Sequence, residues 1–284
     1  MQEARPSRTA MGVAMRRAAH QLFDAPLVLN DPVAVPIVGT EAAARLKRGS
    51  RKHDGRIARS IRAFVAVRSR VAEDELARAI GRGVTQYVVL GAGLDTFAYR
   101  NPYPASALRV FEVDHPATQA WKRKKLAAAR IGVPSSVTFA PVDFERQTLA
   151  DGLERAGFDR QAPAFFSWLG VTMYLTAEAV TSTLAFVVST PRGGGLVFDY
   201  AVPRLSLGWA GRLALAALSW RVAAAGEPFR TFFAPRALHG QLAGLGFQSM
   251  TDLGGDELNA RDFVGRSDGL RVSGRLGRVM SAEV

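Results

Sequence analysis

Along this chain, apolar residues first recur at helical steps and only later gather into short unbroken runs. Met11, Ala14, Met15, Ala18 and Leu22 keep a three- and four-residue step that predicts a helix over 9–23, with Thr9 placed to cap it. Asp24-Ala25-Pro26 breaks that pattern. Asn30-Asp31-Pro32 then predicts a short helix, because proline fits the first helical position. Residues 49–55 read as an exposed loop. Beyond it Ile61, Phe64, Val65, Val71, Leu76 and Ile80 predict the buried side of a helix over 56–80, ended by Gly81-Arg82-Gly83. From 86 onward the period changes. Apolar runs at 87–90, 108–113, 136–140, 164–171 and 196–200 read as strands, with helices predicted over 116–131 and 177–190. The run 164–171 is the kind buried on both faces of a parallel sheet. An Ala/Leu/Trp-rich helix over 205–225 belongs to no strand-helix pair and is expected to be a lid. A further helix over 235–244 precedes two strands, 246–253 and 269–280, expected to pair antiparallel at the sheet edge. Such alternation predicts an α/β fold.

Composition narrows this picture. The 284 residues are 48% hydrophobic, enough for a large core, and contain no cysteine, which excludes disulfides, thiolate nucleophiles and cysteine-based metal sites. His20, His53, His115 and His239 show no metal-binding spacing. A net charge of +12 raises nucleic acid, membrane or acidic ligands as partners. Much of the excess sits at Arg45, Lys47, Arg48, Arg51, Lys52, Arg56, Arg59 and Arg62, without interleaved aromatic residues, so a solvated helix face is preferred and nucleic-acid binding is disfavoured. The same reading is given to Lys122-Arg123-Lys124-Lys125. The N-terminus has no apolar leader, and Arg212 and Arg221 interrupt the 205–225 segment, so no membrane span and a cytoplasmic location are expected. One domain is expected: an N-terminal helical region (1–83), a core (84–202), a lid and helix (203–245) and C-terminal strands (246–284).

The chemistry gathers at Tyr87-Val88-Val89-Leu90-Gly91-Ala92-Gly93-Leu94-Asp95-Thr96, a strand running into a glycine turn from which a helix is expected to start. About twenty residues on, a second strand ends in Glu112 and Asp114, where an acid can hold a ribose. Together these point to a nucleoside cofactor. Thr96 stands where the dinucleotide fingerprint has its third glycine, and no P-loop is present, so S-adenosylmethionine is favoured over a dinucleotide. Asp143, just past the third strand, is a candidate for the adenine amino group or, alternatively, the cap of the next helix. Tyr174 and Tyr200 lie past the fourth and fifth strands, the edge where open α/β sheets bind ligands.

Val89-Leu90-Gly91-Ala92-Gly93-Leu94-Asp95-Thr96, Phe111-Glu112-Val113-Asp114-His115-Pro116, Val142-Asp143-Phe144 and Met173-Tyr174-Leu175 resemble the leucine carboxyl methyltransferase family, which includes S-adenosylmethionine-dependent and polyketide carboxyl O-methyltransferases. The resemblance implies a class I methyltransferase fold, a Rossmann-like seven-stranded sheet with extra N-terminal helices and a helical lid after the fifth strand. It implies Gly91, Ala92 and Gly93 along the methionine moiety and Asp114 on the ribose hydroxyls. It places Asp143 and Phe144 on the adenine and Arg68 on the methionine carboxylate. One position departs: where family members commonly carry a cofactor-holding glutamate, this chain has Leu169. A backbone carbonyl near Leu90 or Leu169 is then the expected acceptor for the cofactor's amino group.

The expected activity is O-methylation of a carboxylate on a small, bulky, apolar acceptor contacted by Tyr174, with core packing as that tyrosine's alternative role. A carboxylate is already ionised at neutral pH and needs no base, in keeping with a chain that shows no Ser-His-Asp or paired-carboxylate pattern. A phenol or alcohol acceptor is the near alternative, with His115 or His239 as base. A non-catalytic cofactor-binding module and an RNA methyltransferase are the other classes considered.

Overall fold

The computed structural model describes residues 8–49, 55–143, 147–203, 208, 216 and 228–284. The opening part is helical: α1 (Arg8–Phe23), α2 (Ala34–Val38), α3 (Thr40–Arg48) and the long α4 (Arg56–Gly81). Strands and helices then alternate through β1 (Gln86–Leu90), β2 (Arg109–Asp114), α5 (Pro116–Ala128), β3 (Val137–Pro141), α6 (Leu149–Arg155), β4 (Ala164–Trp168), α7 (Ala177–Val188) and β5 (Gly195–Ala201). The chain closes with α8 (Pro235–Leu245), β6 (Met250–Leu253), α9 (Gly255–Asp262) and β7 (Gly277–Glu283).

One seven-stranded sheet runs in the order β3-β2-β1-β4-β5-β7-β6. β1 to β5 are parallel, and β7 lies antiparallel between β5 and β6. The expected antiparallel pair is therefore present at that end, although β6 starts at Met250 because Gly246, at φ 110°, terminates α8. The strand order reverses between β1 and β4, which opens a crevice beyond Leu90 and Trp168.

The sheet is covered on both faces, as its unbroken apolar strands require. Val88, Phe111, Phe166 and Phe198 pack with Leu184 of α7 and Leu238 of α8. Their neighbours in the period-two alternation, Tyr87, Val89, Val110, Phe165 and Val197, pack with Val67, Val71 and Leu76 of α4. Full burial of such a side chain contributes about 1.5–3 kcal/mol. Ala14, Ala18, Ile37, Leu46 and Leu126 form a third cluster that joins α1, α2 and α3 to α5.

Four sequence expectations change. No helix starts at the glycine turn; a three-residue 3-10 turn (Phe97–Tyr99) follows instead. There Asp95 Oδ1 accepts the Phe97 N–H at 2.9 Å, and Thr96 donates to buried Asp31 at 2.6 Å, which is the role of the residue standing in place of a third glycine. α9 was not anticipated. Arg62 is not part of a solvated face: it is buried and grips Asp24 with two hydrogen bonds of 2.7 and 2.6 Å. Lys122 is also buried, its Nζ 2.8 Å from Glu112 Oε1 in an ion-pair contact that lacks hydrogen-bond alignment. The expected lid over 205–225 falls almost wholly outside the described residues. No helix among those described is long and apolar enough to cross a membrane.

The Arg62–Asp24 pair continues to His20, whose Nδ1 lies 2.8 Å from Asp24 Oδ2 while Nε2 accepts the Val28 N–H at 3.0 Å. Burial by itself would raise the Asp24 pKa, but hydrogen bonds from His20 and Arg62 and the guanidinium charge outweigh it and hold the carboxyl below its ordinary value. An acid with a depressed folded-state pKa contributes stability above its unfolded pKa and loses it as pH falls through the folded one. Denaturant unfolding should therefore show stability falling below about pH 4. Asp24→Asn should flatten that dependence and cost about 3–5 kcal/mol at pH 7, because it removes the negative partner of a buried guanidinium.

Candidate active site

Beyond the C-terminal ends of β1 and β4 lies a cavity of about 450 Å³, within the range of small-molecule sites. Its centre is the glycine turn. Gly91 and Gly93 have φ of 63° and 46°, left-handed values that side chains rarely adopt. Each glycine also admits a neighbour. A Cβ on Gly91 would fall 2.5 Å from Val171 Cγ2, and one on Gly93 would fall 3.1 Å from Ala10 Cβ of α1. The Gly93 N–H donates to Asp114 Oδ2 at 2.6 Å, and the His115 N–H donates to Asp114 Oδ1 at 2.7 Å. Burial pushes the Asp114 carboxyl up, and these two amide donors partly offset it. The acid at the tip of β2 thus faces the glycine turn.

α1 is clamped over the same turn. Buried Arg17 donates to Asp95 Oδ2 at 3.0 Å and to the Leu94 carbonyl. Asp95 is held below the usual carboxylate range: burial opposes this, but the charges of Arg17 and Lys122 prevail. His115 caps α5, its Nδ1 accepting the Ala117 N–H at 3.2 Å. A neutral imidazole in that arrangement carries its proton on Nε2.

On the other side of the turn, Arg68 of α4 reaches the cavity. Its Nη1 donates to Asp199 Oδ2 of β5 at 2.6 Å, and Asp199 Oδ1 accepts the Gly170 N–H. Gly170 has φ 76°, and a Cβ there would lie 2.9 Å from Arg68 Nη2, so only glycine lets the guanidinium sit so close. Arg68 Nε is buried without a hydrogen-bond partner.

Of the residues predicted from sequence, Arg68, Gly91, Ala92, Gly93, Asp114, Asp143 and Tyr174 all line this one cavity. Phe144 lies outside the described residues. Asp143 is not the cap of the next helix, because Thr148 and Asp151 form a capping box at α6. Tyr174 sits half-buried in a 3-10 turn (Thr172–Tyr174), its ring 5.4 Å from that of Phe229. Tyr200 is not at the cavity; it is buried within β5 and donates to Asp252 at 2.7 Å. His239 is on α8 and does not line the cavity, whereas His115 does.

Comparison with known proteins decides the lineage. The family described as leucine carboxyl methyltransferase matches residues 10–188. The chain is 32% identical, over 95% of both proteins, to the Bacillus subtilis (strain 168) protein named "Putative S-adenosyl-L-methionine-dependent methyltransferase YktD". The chain belongs to the leucine carboxyl methyltransferase family. It is a methyltransferase that depends on S-adenosyl-L-methionine. A Saccharopolyspora erythraea protein of the same description, YktD aside, is 35% identical over 63% of this chain, which spans 61% of that relative's length. Among solved structures, a methyltransferase-titled protein from Thermobifida fusca shares the fold, with a TM-score of 0.58, 16% identity and coverage of 99% of this chain and 96% of that one. A DUF574-family protein from Streptomyces avermitilis does likewise, with a TM-score of 0.56, 15% identity and coverage of 94% and 96%.

Within this member of the family, three site residues were not singled out from sequence: Arg17, Asp95 as a partner of Arg17, and Asp199. Asp199 had a readable signal, a lone acid within the apolar strand Leu196-Val197-Phe198-Asp199-Tyr200. Arg17 had none, being one of two adjacent arginines on an amphipathic helix. Leu169 lines the cavity at the position of the absent glutamate, and the nearby buried acid is Asp199, one strand over. Asp199→Ala should leave Arg68 as an unpaired buried charge and lower unfolding free energy by about 3–5 kcal/mol in a denaturant titration.

Proposed function

We propose that this protein methylates the carboxylate of a small lipophilic acceptor, with S-adenosylmethionine held in the cavity beyond β1 and β4. The observation that carries the reading is the convergence there of the glycine turn, Asp114 and the Arg68 guanidinium oriented by Asp199. The Arg68 guanidinium suits a carboxylate such as the cofactor's methionine end, and the cavity volume suits a ligand of this size. In this assignment Arg68 takes the methionine carboxylate, and Gly91, Ala92 and Gly93 run along the methionine moiety. Asp114 keeps lone pairs free for the ribose hydroxyls. Asp143 faces the adenine, with Phe144 assigned there by family resemblance. Leu90 and Leu169, both lining the cavity, offer backbone carbonyls to the amino group in place of the missing glutamate.

Bound there, the cofactor supplies a methyl group whose S–C bond breaks, its electron pair staying on sulfur, as an acceptor oxygen's lone pair forms the new O–C bond. The chain's own work is to position that oxygen and exclude water, which can be worth about 7–11 kcal/mol of barrier. Tyr174, on the cavity wall beside Phe229, is assigned to the acceptor. A carboxylate, with an ordinary pKa near 4, arrives already ionised. Two of the titratable groups on the cavity are weak bases: His115 uses Nδ1 as a cap acceptor, and Asp95 is held in its weakly basic form by Arg17. Those features favour the carboxylate over a phenol or alcohol. RNA is disfavoured further for these particular cations, because Arg17, Arg62, Arg68 and Lys122 are buried in ion pairs and are not presented to a phosphate backbone. A single catalytic unit working in the cytoplasm fits the same reading.

Two measurements test it. In calorimetric titrations, Asp114→Ala should weaken S-adenosylmethionine binding by about 1–3 kcal/mol with the protein still folded, and unchanged affinity would show the pocket misplaced. Turnover on carboxylic acids should be nearly flat above about pH 6. A steep rise toward about pH 8–9 would indicate a phenol, and tight cofactor binding without product across both acceptor classes would indicate a binding module.

A further inference from the structure

Among the described residues three arginines line the cavity, Arg17, Arg68 and Arg230, and they differ in what already holds them. Arg17 is committed to Asp95 and the Leu94 carbonyl, and Arg68 to Asp199. Arg230 is exposed, and among the described residues its guanidinium has neither an acid nor a carbonyl partner. Its backbone is nevertheless fixed. The Arg230 N–H donates to the Met173 carbonyl at 2.8 Å, the Thr231 N–H donates to the same oxygen at 3.3 Å, and buried Thr231 Oγ1 donates to the Leu175 carbonyl at 2.5 Å. Arg230 is therefore rooted on the turn that carries Tyr174.

The wall around it is apolar. Tyr174 stacks at a tilt of 39° on Phe229, Phe229 meets Phe232 edge-on at 6.1 Å, and Leu175 and Pro228 line the same cavity. Among the described residues the acids lining the cavity lie elsewhere: Asp95 in the glycine turn, Asp114 at the tip of β2 and Asp143 after β3. On the Tyr174 wall the Arg230 guanidinium offers paired donors matched to the carboxylate of an acceptor.

We propose that Arg230 holds the acid end of the acceptor, with Tyr174 and Leu175 against its apolar body, so that the site selects hydrophobic monocarboxylates. This rests on the carboxylate reading above and names the residue that would enforce it. Arg230 is a specificity residue that needs no proton from the acceptor.

The test uses the full chain with octanoate and benzoate as probes, and octanamide and benzamide as their uncharged counterparts. Methyl ester formation, probe binding to the S-adenosylhomocysteine-loaded protein, cofactor affinity and thermal midpoint are read for wild type, Arg230→Gln and Arg230→Lys. The expected result is that Arg230→Gln raises the KM and Kd for the acids about ten- to hundredfold, the effect of losing a charge-assisted hydrogen bond. Cofactor affinity and thermal midpoint should stay at wild-type values, Arg230→Lys should recover part of the loss, and the amides should bind weakly to all three. Acids handled equally well by Arg230→Gln, or amides bound as tightly as acids, would overturn the inference while leaving the carboxylate reading in place. Methylation of phenols with none of either acid would overturn both. A wild-type protein that takes no S-adenosylmethionine would overturn the cofactor assignment itself.

Discussion

The two left-handed glycines at the end of β1 set the constraint on which the site depends. Because Gly91 and Gly93 carry no side chain, the backbone turns within two residues and three separate parts of the chain close on it. Val171 from beyond β4 packs over Gly91, Ala10 of α1 packs over Gly93, and Asp114 of β2 accepts the Gly93 N–H. A Cβ at Gly91 would displace the β4 side, and one at Gly93 would press on α1. The turn is therefore a junction between the sheet and the N-terminal helices, and the cavity is the space that this junction leaves.

The N-terminal helices complete the site through polar contacts as well as apolar ones. Arg17 ties α1 to Asp95 and Leu94, Thr96 ties the turn to Asp31, and Arg100 links Asp31 with Glu73 of α4. Buried ion pairs of this kind are weak sources of net stability, but breaking one partner is costly. Their effect is to fix register: each charged side chain has one position that satisfies it. Asp199 does the same from the opposite side, holding both Arg68 and the Gly170 amide, so the guanidinium arrives at the cavity already oriented.

Much of the fold was legible because its strands are nearly continuous apolar runs and its helices keep a clear step. Gly91, Gly93 and Asp114 were legible for a different reason: a strand, a glycine turn and an acid one strand later form a local pattern that chemistry constrains. What escaped was long-range. Nothing near Arg62 or Lys122 in sequence indicates that Asp24 and Glu112 wait for them in the interior, so both were read as solvated. The helix expected after the turn failed because Asp95 and Thr96 spend their side chains on Phe97 and Asp31, which favours a tight 3-10 turn. Tyr200 was placed at the cavity by counting to a strand end, but β5 extends through Ala201, so this tyrosine stays inside the strand and reaches Asp252 instead.

A ligand-bound crystal structure addresses the central claim most directly. Crystals grown with S-adenosylhomocysteine should show its ribose against Asp114, its thioether chain along Gly91 and its carboxylate at Arg68. Ligand density elsewhere on the molecule, with the space between Gly91 and Asp114 empty, would contradict the account.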